Sequence, residues 1–219
     1  MSDTYLVFFE RGDEPADVFG KRLRDTAAQL AADERARDVI LLVDDGEVGA
    51  PDSATAMPSP SDAMLVVTGL PADALPPGTA VYRGSRRVVK ARPRGRDGAR
   101  SDGFTIICPS VRAGFLDHAA FDAHWRDNHS RVHVDSSPGT CHYEQLPVDE
   151  VLTPGAREWD GVGLLSFATA DDYTERMFDG ERGQTAIFED CDRFLDLAKG
   201  ETIPASEYVY KDSAAGSGR

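Results

Sequence analysis

Residues 117–145 read DHAAFDAHWRDNHSRVHVDSSPGTCHYEQ. All five histidines of the chain fall here: His118, His124, His129, His133 and His142. Trp125, one of two tryptophans, sits among them. Imidazole titrates nearest to neutrality, so this stretch gathers the chain's near-neutral proton chemistry in one place. Asp117 is suited to cap a helix. Phe121, Trp125, Asn128 and Val132 then mark one helix face, predicting a helix over about 118–133. Ser137-Pro138-Gly139 predicts a turn and 140–146 a strand. The plain alternative is a solvated helix that carries several histidines.

Outward from this unit, 104–108 (FTIIC) predicts a strand before it. After it come a polar loop over 147–159, a strand over 161–168, and a helix opened by Asp171 and Asp172. A second helical piece over about 184–198 carries Ile187, Phe188, Cys191, Phe194, Leu195 and Ala198, and a strand spans 203–210. The N-terminal half predicts strands at 4–10, 38–44, 63–68 and 79–90. Phe19, Leu23, Ala27 and Leu30 predict a helix over about 16–35. Residues 45–62 are rich in Gly, Pro, Ser, Asp and Ala and read as a long loop. The stretch 69–78 has room for one helical turn.

Both halves therefore read β-α-β-β-α-β, with the second helix degenerate in the first half. That order is the ferredoxin-like split βαβ unit. A single such sheet leaves one face uncovered. The predicted fold is α+β: two fused ferredoxin-like units, 1–91 and 103–211, covering each other as an intrachain pseudo-dimer. Residues 92–102 are the linker and 212–219 a disordered tail.

The net charge of −14 argues against a nucleic-acid partner. Residues 83–100 nonetheless hold eight basic residues and one acid. The favoured expectation is a solvated linker pairing with the chain's own acidic surface. The alternative is a basic lip for an anionic substrate. No apolar run is long enough to span a bilayer, and the acidic start MSDTYLVFFERGDE is unlike a signal peptide. Cys108, Cys141 and Cys191 are odd in number and lack a CxxC pairing, as expected of reduced, packed thiols in a cytoplasmic protein.

The second half resembles a known family. Phe121-x3-Trp125-x3-His129, Pro138-Gly139, Tyr143, Trp159-Asp160-Gly161, Glu189-Asp190, Phe194 and Glu207 stand as in EthD-type members of the dimeric α/β-barrel superfamily. Ser130-Arg131 departs from the small residue and proline that usually follow the family's histidine. The first half has no matching Trp or His, so one site is expected. The resemblance implies an intrachain barrel with a hydrophobic cleft between sheet and helices. Relatives cyclise, decarboxylate, dehydrate or isomerise aromatic polyketides and lactones, commonly without a cofactor. Some superfamily relatives bind haem or oxidise quinols.

The residues then sort as follows. His129, one turn beyond Trp125 on the same face, is the candidate acid or base. The alternative is a structural histidine at a helix end. Tyr143 is a candidate hydrogen-bond donor to a developing enolate, or a packed core tyrosine. Asp190 is a candidate orienter of His129, or part of a solvated acidic face with Glu189 and Asp192. Phe121, Trp125 and Asn128 are candidate substrate-binding residues. His118 and His124 are expected to face solvent and His133 to lie at a helix end. Of His142 and Tyr143, which point to opposite faces, one is expected inside. His129 and His133 have metal-ligand spacing, but a third ligand would have to come from elsewhere, for example Glu189 or Asp190, and no metal or cofactor is assigned.

The expectation is a cofactor-independent cyclase, lyase or isomerase acting by proton transfer on a small hydrophobic oxygenated ring compound. The chain would work as a monomer or homodimer. The alternatives are a non-catalytic accessory protein, whose histidines would face solvent, and a haem or metal oxidoreductase.

Overall fold

A computed structural model describes residues 3–55, 57 and 59–213. The first half contributes β1 (Thr4–Phe9), α1 (Ala16–Ala32), β2 (Asp38–Val43), β3 (Ala63–Thr68), β4 (Ala80–Gly84) and β5 (Arg87–Lys90). The second contributes β6 (Phe104–Ser110), α2 (His118–His124), a π-helical turn (Trp125–His129) and α3 (Ser130–Ser136). It continues with β7 (Thr140–Val151), β8 (Gly161–Phe167), α4 (Ala170–Thr174), α5 (Gly180–Cys191) and β9 (Ile203–Lys211).

Eight strands close into an antiparallel barrel in the order β4-β1-β3-β2-β9-β6-β8-β7, with β4 pairing back onto β7. Each half supplies four adjacent strands in the ferredoxin-like arrangement. The edge strands β2 and β4 of the first half zip onto β9 and β7 of the second. Closure removes every edge of the eight-stranded sheet, the hazard an isolated half would carry.

The barrel interior is one core shared by both halves. Leu6, Phe8, Ile40 and Leu42 from the first meet Ile107, Leu146, Leu164 and Ile203 from the second. Strand alternation sends the odd residues outward. There Val7, Val39, Leu41 and Leu65 pack under Phe19, Leu23 and Ala27 of α1. Both faces of the sheet are thus covered, which explains the near-continuous apolar runs of β1, β2 and β3.

Several expected boundaries move. The single strand over 79–90 is two strands: β4 pairs with Glu150 and Val151, and β5 runs on along Tyr143–Gln145 after an irregularity at Gly84. A Cβ on Gly84 would stand 1.9 Å from the Pro147 carbonyl oxygen, so the chain turns where only glycine fits. β7 runs to Val151, through the start of the expected loop. The last helix spans 180–191, not 184–198, leaving Phe194 beyond its end.

The basic segment is only in part a solvated linker: Pro93, Gly95, Arg96 and Asp97 are exposed, while two of its arginines turn inward. Arg86 and Arg94 are buried at one end of the barrel, on the interior face that carries Glu144 and Glu207. Arg86 forks onto Glu144 at 2.6 and 2.7 Å and reaches Asp38 and Asp212. Arg94 bonds Glu207, Glu144 and Asp212 at 2.6–2.8 Å. The arginines do meet the chain's own acids, but inside, because four carboxylates on interior strand ends need buried countercharge. They form no lip at the cleft. Asp212 and Ser213 are held in this network, Ser213 through Asp38. The remainder of the expected tail, 214–219, lies outside the described residues.

Candidate active site

A cavity of about 360 Å³ lies between the outer face of the second-half sheet and its helices. Cys108, Tyr143, Gly163 and Leu165 form the floor. Trp125, His129 and His133 stand on one side, with Ile187, Cys191 and Phe194 opposite. The roof comes from the first half. The stretch read as a long loop makes a short 3₁₀ turn, Asp52–Thr55, that brings Ala54 and Met57 over the cavity. Tyr173 Oη donates to the Ser53 carbonyl, and Thr202 N donates to the Met57 carbonyl. Nothing in the local sequence of 45–62 signals this contact, which is purely tertiary.

The π-helical turn explains how the histidines reach the cavity. Phe121, Trp125, His129 and His133 are all buried, at a strict four-residue spacing. An α-helix drifts about 40° around its axis every four residues. Four such residues would spiral off the stripe. The wide turn, closed by Ser130 N donating to the Trp125 carbonyl, takes up that drift. Gln145 Nε2 and Ser130 Oγ also donate to this carbonyl. Gly161 makes the opposing space: a Cβ there would sit 2.3 Å from the Trp125 ring.

Within this frame His129 Nδ1 lies 2.8 Å from Asp190 Oδ2. Asp190 also accepts from Asn128 Nδ2 at 2.6 Å and faces His124 Nε2 at 2.9 Å. Burial raises the Asp190 carboxyl, but hydrogen bonds from His129 and His124 outweigh it and hold the group below the usual carboxylate range. An ionised Asp190 fixes His129 as the Nδ1–H tautomer. His129 Nε2 has no hydrogen-bond partner among the described residues, and His129 lines the cavity.

Tyr143 Oη accepts from Trp125 Nε1 at 2.9 Å and from Gln145 Nε2 at 3.1 Å. Both acceptor positions of the phenol oxygen are used, and no described group accepts its proton. Burial pushes the phenol well above its ordinary value despite these two donors. Tyr143 is therefore a protonated donor with a free O–H. Burial likewise pushes the Cys108 and Cys191 thiols up to about 12, so both line the cavity as neutral thiols.

The expected residues are thus partly brought together. His129, Tyr143, Asp190 and Trp125 converge. Phe121 packs behind Trp125 and Phe194 and does not reach the cavity. Asn128 turns away from the cavity because Asp190 takes its amide. His124 is not a solvent-facing residue: it stacks on Phe194 at 4.9 Å and completes the Asp190 cluster. His118 is half-exposed beside Asp160. His142 and Tyr143 are both inside, because the sheet is covered on both faces; His142 bonds Glu144 within the barrel. His133 lies in the last turn of α3, as expected, and also lines the cavity. Among the described residues, no cluster of three or more His, Cys, Asp or Glu side chains is placed to hold a metal ion.

The profile of the EthD domain family matches residues 115–198, from the loop before α2 to just past Phe194. The second half of the chain carries an EthD domain. No curated protein matches the sequence. The whole barrel superposes on solved dimeric α/β-barrel structures. One is an anthrone oxidase-like protein, at 10% identity and a TM-score of 0.60, covering 97% of this chain and 94% of the other. A second is a monooxygenase-like protein from Lactobacillus acidophilus, at 10% identity and a TM-score of 0.55, covering 96% and 98%. A third, monooxygenase-like and from Fusobacterium nucleatum, has 8% identity and a TM-score of 0.50, covering 96% and 92%. Likeness at this identity establishes the fold. No helix among the described residues is long and apolar enough to cross a membrane.

Proposed function

We propose that the EthD-domain cavity abstracts a proton from carbon next to a carbonyl in a small hydrophobic ring compound. The observation that carries this is the His129–Asp190 pair. Nδ1 is held by an ionised carboxylate, and Nε2 presents a lone pair to an apolar cavity. The bound carboxylate fixes the tautomer of the ring, as in other carboxylate–histidine pairs. Tyr143 supplies an O–H to the oxygen on which the resulting enolate charge collects.

The C–H bond breaks, His129 Nε2 takes the proton, and the electron pair moves onto the carbonyl oxygen. An enolate held in an apolar cavity is the common first intermediate of aldol-type cyclisation, isomerisation and β-elimination. The volume of about 360 Å³ and the apolar lining fit a compact ring of the aromatic polyketide or lactone kind. The accessory-protein reading calls for histidines facing solvent. The inward position of His129 and His133 favours chemistry instead. Because the barrel closes within one chain, a monomer suffices for the fold and for this site.

An assay against ring lactones and cyclic β-diketones, comparing the natural protein with His129→Ala, tests the reading. Turnover in the natural protein and loss of at least about a hundredfold in the variant is expected. Equal turnover would remove His129 from the mechanism.

A further inference from the structure

Two imidazoles line the cavity, and proton abstraction uses only one. His133 lies one turn beyond His129, and its ring is 5.9 Å from that of His129 and 4.4 Å from that of Tyr143. The third side of this triangle, His129 to Tyr143, is 6.5 Å. His133 has no carboxylate partner. Its Nε2 faces Thr140 Oγ1 at 3.3 Å. Its Nδ1 has no hydrogen-bond partner among the described residues, and His133 lines the cavity.

The Thr140 hydroxyl decides which ring nitrogen carries the proton. Thr140 is fully buried, and His133 Nε2 is the one side-chain group bonded to its hydroxyl among the described residues. A buried hydroxyl proton without an acceptor is costly. Thr140 therefore donates, Nε2 accepts, and the ring proton sits on Nδ1. Burial, with a smaller contribution from the Lys90 ammonium, lowers the pKa of His133 to about 3, so the ring stays neutral near pH 7. His129 and His133 thus share a tautomer but show the cavity opposite atoms. His129 offers a lone pair and His133 an N–H. Environments that push two like groups apart in this way mark different roles.

From this geometry we infer that His133 is a catalytic hydrogen-bond donor to the substrate oxygen, through Nδ1–H and beside the Tyr143 hydroxyl. Thr140 is the positioning residue that holds its tautomer. The inference rests on the proton-transfer reading and narrows its substrate. The reacting carbon must carry an oxygen close enough to meet two neutral donors while its α-hydrogen faces His129 Nε2. The donors keep their protons throughout; the abstracted proton resides on His129 until it is returned to carbon or to the leaving group. No further reactant enters the step.

The probe is 4-nitrophenol, a ring compound whose phenolate mimics the enolate oxygen and whose ionisation is read by absorbance. The full chain carrying ¹⁵N-labelled histidine should show His133 neutral and protonated on Nδ1. The bound phenol should ionise at a lower pH than free phenol. His133→Leu and the isosteric Thr140→Val should each weaken phenolate binding, by at least about tenfold for His133→Leu. Thr140→Ser should restore both binding and tautomer. Should His133→Leu fold poorly, Thr140→Val carries the same comparison. A His133 protonated on Nε2, phenolate affinity unchanged in Thr140→Val, or no binding of the probe would overturn the inference. Phenolate binding with the expected tautomer, in a protein that turns over none of the ring compounds, would support the donor pair and overturn the role of His129 as base.

Discussion

Asp190 and His129 meet at 2.8 Å across the gap between α5 and the π-helical turn, and the carboxylate is further held by Asn128 and His124. Asp190→Asn keeps the shape but replaces an ion with an amide that can offer N–H to His129. The imidazole is then no longer fixed with its lone pair on Nε2. A fall in kcat of roughly 10²–10⁴ is expected, with KM little changed. A variant within a few-fold of the natural kcat would show that the carboxylate does not set the tautomer.

Gly161 lies directly beneath the Trp125 indole. Gly161→Ala drives a methyl into the ring, and the indole must tilt away from Tyr143. Urea denaturation should show a loss of about 1–3 kcal/mol, accompanied by a shift in tryptophan fluorescence. Unchanged stability would mean that the ring has room the geometry does not show.

The buried arginines make a second stability test. Arg94→Met removes one guanidinium and leaves Glu144 and Glu207 with fewer countercharges deep in the barrel. Removing one partner of a buried ion network costs about 3–5 kcal/mol. Added salt should recover little of it, since the site is closed to solvent. A loss below about 1 kcal/mol, or one that salt restores, would place these charges at the surface.

His133 adds a pH dependence whose sign follows from its environment. Its folded pKa is lowered to about 3 from an ordinary 6.5. Between those values the unfolded chain binds a proton that the folded chain refuses, so stability falls as pH falls below about 6.5. The slope is at most about 1.4 kcal/mol per pH unit from this one group. His133→Phe should flatten the fall between pH 6 and 4.5, measured by denaturation at a series of pH values. An identical slope in both proteins would contradict the buried, neutral state.

Much of this was legible in the sequence, for physical reasons that differ from element to element. The 121/125/129 spacing is a burial pattern, and burial is what periodicity reports. The β-α-β-β-α-β order of both halves needed only local signals, and it led to the barrel. The tertiary partners were not legible. Charge runs read as solvated faces because most are, so 83–100 gave no sign that Arg86 and Arg94 turn inward to carboxylates far along the chain. His124 read as polar-side because its partner, Asp190, lies 66 residues away. His133 drifted off the stripe in an ideal helix, and the π-helical turn that returns it has no simple sequence mark. Residues 45–62 read as a loop; the 3₁₀ turn Asp52–Thr55 within them serves as a roof only through contacts with the second half.

The base itself is tested most directly by hydrogen exchange at carbon. A ring ketone or lactone with a slowly exchanging α-hydrogen is incubated in D₂O with the natural protein or with His129→Ala, and loss of the α-proton is followed by ¹H NMR. The natural protein should speed exchange well above the buffer rate, and His129→Ala should lose at least about a hundredfold of that acceleration. Equal exchange by the two proteins, or none above buffer from the natural protein across the ring compounds that bind, would contradict proton abstraction by His129.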